Sequence, residues 1–98
     1  MSKPPNEIDG AKVLQWAWSG SLPFGTLKYK GGEKDGETAF EIYGLAICRY
    51  EKSDEIYRFS CDENWGTQQD APYDSVEQAK KDLPDQYKNV PANWIVYE

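Results

Sequence analysis

The chain has no histidine, and that gap removes the commonest general base, the usual zinc ligand and the ordinary catalytic triad. Cysteine is scarce as well: Cys48 and Cys61 are the only two, and they do not form a Cys-x-x-Cys pair. Such residues fit a reducing compartment, where they act as small apolar core groups. Long hydrophobic runs are missing too. No N-terminal stretch joins a basic segment to an apolar one, as a secretory signal does, and nothing reaches the length of a membrane span. Read with residue 1 as the native start, the chain is expected to be cytoplasmic, with no membrane partner. Gly31-Gly32 has no Lys-Ser/Thr after it and leads into a strand pattern, so it is not a phosphate loop. Asp62-Glu63-Asn64-Trp65-Gly66 lacks the alternating ligands and distant Glu of an EF-hand. These gaps together predict a protein that is not an enzyme, with no catalytic residue, no cofactor and no metal.

What is present is aromatic and acidic. Aromatic residues make up 14% of the chain, too many for disorder, and they compensate for a mean hydropathy of −0.83. Ninety-eight residues predict one small domain over 1–98, with residues 1–10 as a flexible leader. The net charge of −6 lies wholly in the second half: residues 51–98 carry five basic groups against eleven acidic ones, whereas 1–50 balance at six each. An acidic surface repels nucleic acid and anionic lipid and attracts basic proteins.

Along the chain, 11–18 reads as a strand rich in β-formers, and 26–30 as a short strand of period two. The glycine-rich stretch 31–36 is a turn. Residues 38–51 form a long β-rich run that Gly44 interrupts, so Phe40 and Ile42 need not share a face with Ala46 and Cys48. With Ser53-Asp54 at a turn centre, Tyr50 faces Tyr57, Cys48 faces Phe59 and Ala46 faces Cys61, all on one buried face. The other face receives Arg49, Arg58, Glu51 and Ser60 with Ile47 and Ile56, and is expected to be largely solvated. A short strand at 67–69 precedes a helix over 75–83. Ser75 and Gln78 there make a capping box, Val76, Ala79 and Leu83 an apolar stripe, and Glu77 with Lys81 an (i, i+4) pair. Residues 94–97 read as a closing strand. The predicted fold class is α+β: an antiparallel β-meander sheet with one short helix packed on one face.

Three functional surfaces follow. Meander geometry puts turns 31–37 and 63–66 at the same end of the sheet, gathering Glu33, Asp35, Glu37, Asp62 and Glu63 near Trp65. An aromatic ringed by carboxylates is a hot spot for an Arg- or Lys-bearing partner. The expected function is therefore a non-enzymatic acidic interaction module, an inhibitor or immunity-type protein that binds a basic protein such as a nuclease or toxin. Trp16 and Trp18 share a strand face. They are read as core, with a small-molecule or carbohydrate platform as the alternative, since the acidic balance opposes nucleic acid. The third reading is a structural subunit that adds an edge strand to another sheet. Composition does not specify the oligomeric state.

Overall fold

The computed structural model describes residues 3–98. It is mostly antiparallel sheet with one short helix, α+β in the broad sense and mostly β. Eight strands are present among the described residues: β1 (Glu7–Ile8), β2 (Ala11–Trp18), β3 (Gly25–Lys28), β4 (Thr38–Ile42), β5 (Gly44–Arg49), β6 (Ile56–Cys61), β7 (Thr67–Tyr73) and β8 (Ile95–Val96). The helix α1 (Val76–Lys81) and a single 3-10 turn (Asp85–Tyr87) lie between β7 and β8.

Only β5, β6 and β7 follow a meander. The main sheet runs β1-β2-β5-β6-β7, and β8 pairs with β2 on the edge that β1 also uses. β3 and β4 leave it to form their own two-stranded sheet. The excursion starts after Trp18 and ends at Tyr43, where the chain bends before Gly44, so β2 meets β5 directly with Trp18 opposite Gly44. The interruption expected at Gly44 is therefore the point where one strand run divides between two sheets.

Residues 3–10, expected as a flexible leader, are instead tied down; Met1 and Ser2 lie outside the described residues. Ile8 pairs with Ala11 across Asp9-Gly10, where φ is +51° and +83°, the two positive values a type I′ hairpin turn requires. Ile8 is buried, and Tyr97 Oη donates to Pro4 O at 2.9 Å.

The β5–β6 hairpin keeps the expected faces but not the expected register. Ala46 faces Phe59, Cys48 faces Tyr57 and Gly44 faces Cys61, a slip of two residues from the predicted pairs. A two-residue slip preserves which face each side chain occupies, so periodicity alone could not detect it. The turn is longer than expected. Ser53 N–H donates to Tyr50 O at 3.1 Å, and Ser53 Oγ accepts from Glu55 N–H at 3.0 Å, so pairing starts only at Arg49 and Ile56.

Both faces of the sheet are covered. One carries Ile8, Ala11, Val13, Trp16, Ala46, Cys48, Phe59, Cys61 and Trp65 as a continuous core. The bulge at Leu14 keeps Val13 and Trp16 together on that face although they are three residues apart. The other face, expected to be solvated, buries Leu45, Ile47, Ile56, Arg58 and Ser60 beneath α1, the 3-10 turn and the segment leading to β8. Arg58 is at home there because its Nη1 donates to Ala79 O at 3.3 Å and Asp82 O at 2.6 Å, capping carbonyls that the end of α1 leaves unpaired.

α1 is shorter than the predicted 75–83. Ser75 is its N-cap, and Ser75 Oγ accepts from Gln78 N–H at 3.1 Å as the capping box requires, but Gln78 Oε1 takes Asp74 N–H in return. Ala79 is fully buried, while Leu83 lies past the C-cap Asp82. Glu77 meets Lys80, not Lys81, at 3.8 Å.

Candidate functional site

The loop between β6 and β7 is built around Asp62. Its Oδ1 accepts from Asn64 N–H and Gly66 N–H, each at 2.8 Å, and its Oδ2 from Gln68 Nε2 at 3.1 Å. Asp62 N–H donates to Gly66 O and Trp65 N–H to Asp62 O, which closes the loop on itself. Asp62 is thus a structural acceptor, not a free carboxylate. Within this frame Trp65 has φ +64°, a left-handed conformation that costs a bulky L-residue about 1–2 kcal/mol. That conformation folds the indole back over β5. A Cβ on Gly44 would stand 2.5 Å from Trp65 Cζ3, so the ring can lie there only because residue 44 is glycine.

Trp65 is consequently 7% exposed, which corrects its expected role as an exposed hot spot. It forms the centre of a ring stack. Trp16 meets it edge to face with centroids 6.2 Å apart, and Trp18 packs on it at 5.6 Å. Trp18 in turn lies 6.0 Å from Tyr43. Trp16 is buried, so within the stack Trp18 and Tyr43, both half-buried, present the ring surface that solvent reaches. Glu41 and Glu63 flank Tyr43. The tyrosine's pKa is raised, first by burial and then by the charges of these two carboxylates.

The acidic cluster expected from meander geometry is split. Asp62, Glu63 and Trp65 share one loop, but Glu33, Asp35 and Glu37 occupy the exposed tip of the β3–β4 hairpin. Tyr43 N–H donates to Cys61 O, and from there β4 runs six residues back to Glu37, roughly 20 Å at strand rise. The tip is kept away because β4 bends out of the main sheet. Sequence reasoning missed Tyr43 and Glu41 as members of the site, and placed Trp18 in the core or on a separate ligand platform. The available signal was Gly44, since a glycine inside a strand marks a close approach by another group.

Cys48 and Cys61 lie on the same core, both free and fully buried. They are four residues out of register, since Cys48 faces Tyr57 and Cys61 faces Gly44. Burial pushes each thiol up to about 12. Neither is a usable nucleophile near neutral pH. We expect both to resist maleimide in the folded protein and to label fully after unfolding in urea without reductant. Labelling of either thiol at the rate of free cysteine in native buffer would contradict this core.

Among the described residues no group of three His, Cys, Asp or Glu side chains is placed to hold a metal ion, and no helix is long and apolar enough to cross a membrane. Comparison with protein-family models, curated proteins and solved structures finds no match to this chain.

Proposed function

We propose that this chain is a non-enzymatic acidic interaction module, an inhibitor or immunity-type protein that binds a basic protein such as a nuclease or toxin. The contact is centred on Trp18 and Tyr43 with Glu41 and Glu63. The observation that carries this reading is the braced pair of half-buried rings, Trp18 and Tyr43, within the field of two carboxylates that raise the tyrosine's pKa. An arginine side chain laid on such a surface gains twice: its plane stacks on the ring, and its N–H groups reach a carboxylate. Trp65, itself braced by Trp16, holds Trp18 from below, so little side-chain freedom is lost when a partner docks. The −6 net charge adds long-range attraction that speeds encounter with a basic surface. The reading keeps Glu63 and the acidic balance, and moves the accessible aromatic from Trp65 to Trp18.

The test is a tryptophan-fluorescence titration with octa-arginine and octa-glutamate peptides at low and high salt. Octa-arginine should bind, and more weakly as salt rises, while octa-glutamate should not. Trp18→Ala should weaken octa-arginine binding by roughly 1–2 kcal/mol, the range of a stacked cation. The pair Glu41→Gln and Glu63→Gln should flatten the salt dependence. Equal response to both peptides, or binding unchanged by these variants, overturns the proposal.

A further inference from the structure

On the sheet face opposite the ring stack, the inner side of the β3–β4 hairpin stands off from β7 and leaves an open groove of about 620 Å3. Leu27, Tyr29 and Phe40 line one wall, and Gln68, Gln69 and Gln86 line the other. Two bulges meet across it. Ala39 is the extra residue between the pairs Leu27–Phe40 and Lys28–Thr38, and Gln68 is the extra residue between Ser60–Gln69 and Cys61–Thr67. A bulge breaks the alternation of side chains, and here it lets consecutive Gln68 and Gln69 face the same groove.

The amides are held in complementary orientations. A carboxylate can only accept, so the bond from Gln68 Nε2 to Asp62 Oδ2 turns the Gln68 NH2 toward Asp62 and leaves Gln68 Oε1 as a spare acceptor. Gln69 is fixed the other way. Tyr87 Oη donates to Gln69 Oε1 at 3.3 Å, which leaves the Gln69 NH2 as a spare donor. The Gln86 side chain has no hydrogen bond to any described residue. Across the groove, Phe40 is 42% exposed, and no other ring or cation among the described residues packs on it. Tyr29 already carries the Lys34 ammonium 5.5 Å from its ring centre. Lys28 and Lys30 also line the groove, Lys28 Nζ donating to Thr38 Oγ1, and no carboxylate does.

We propose that this groove is a binding site for a neutral oligosaccharide. A sugar hydroxyl is donor and acceptor at once, and adjacent Gln69 NH2 and Gln68 Oε1 match a pair of neighbouring hydroxyls. The apolar face of a pyranose ring covers Phe40, and the free Gln86 amide reaches the next unit. An extended peptide is less well matched. The adjoining edge strand β7 contains Pro72, which has no N–H to offer a ladder. The site is independent of the basic-partner reading and shares no residue with it.

The test is a titration of the isotopically labelled full chain with cellohexaose, maltohexaose and chitohexaose, and separately with a neutral Ser/Thr/Val octapeptide, observing the glutamine side-chain NH2 signals by NMR. One hexasaccharide should saturate the shifts of Gln68, Gln69 and Gln86. Phe40→Ala and, separately, the exposed Gln86→Ala should each weaken binding, the first by roughly ten-fold, while Trp18→Ala leaves it unchanged. The untouched backbone spectrum of Gln86→Ala serves as the check on folding. No shift with any hexasaccharide up to about 10 mM, shifts with the octapeptide alone, or wild-type affinity in both variants overturns the proposal.

Discussion

Gly25→Ala should unseat the 3-10 turn and destabilise the protein by about 3 kcal/mol, the upper end of ordinary overpacking. The added Cβ would lie 1.5 Å from Gln86 O, 2.5 Å from Gln86 C and 3.0 Å from Tyr87 Cδ1. The first two are backbone atoms. They cannot swing aside as a side-chain tip can, and their segment is fixed by Tyr87 N–H to Pro84 O and Asn89 N–H to Phe24 O. Tyr87 is 1% exposed, so relief requires moving a buried ring together with the turn. The glycine's φ is not in the left-handed region, which makes the effect steric and not conformational. Urea unfolding followed by far-UV signal measures it. The midpoint should fall by about 1–3 M with little change in slope. A wild-type midpoint would mean that the turn does not pack on β3. Tyr87 also orients Gln69, so this variant should disturb the groove while leaving Trp18 and Tyr43 in place.

The elements that local chemistry specifies were legible in the sequence. Ser75 and Gln78 announced the start of α1, Gly44 announced a break, and alternation assigned the faces of Ala46, Cys48, Phe59 and Cys61. Periodicity has no power over register, which the turn decides. The six residues 50–55 are shaped by a Ser53 hydroxyl that composition does not single out. The Asp9-Gly10 hairpin is written in the sequence, since this dipeptide between apolar neighbours is the strongest short-range turn signal, and it outweighs the fraying that an N-terminal position favours. The pairing of β2 with β5 had no local signal. It joins segments about thirty residues apart and depends on β3 and β4 folding aside as a unit.

The site was less legible because one dihedral decides it. In the stretch 64–66, Asn64 and Gly66 are the residues that favour a left-handed backbone, yet Trp65 adopts it. The Asp62 hydrogen bonds fix the conformation, and it sends the indole inward. With the ring inside, exposure passes to Trp18 and Tyr43. Their role depends on the bend at Tyr43 and on the long-range pairing of β2, neither of which a local pattern contains.

Trp65→Ala should therefore act on the fold before it acts on any partner. Removing a buried indole costs about 3–5 kcal/mol, a large share of the total stability of a small domain. Alanine relieves none of the left-handed strain, because its Cβ meets the same backbone. Trp18→Ala, taken from a half-buried position between Trp65 and Tyr43, should cost clearly less. Gly44→Ala supplies the cross-check. Alone it should be destabilising, since its Cβ would lie within 2.8 Å of three Trp65 ring atoms. Combined with Trp65→Ala, the methyl enters space the indole has vacated, and the penalty of Gly44→Ala should vanish or change sign. Urea unfolding of the wild type, both single variants and the double variant measures the coupling, expected at roughly 1–3 kcal/mol for residues in direct contact. Additive effects would show that the ring does not lie over Gly44. Near-wild-type stability of Trp65→Ala, together with lost octa-arginine binding, would return Trp65 to the surface as the contact residue and displace Trp18 from that role.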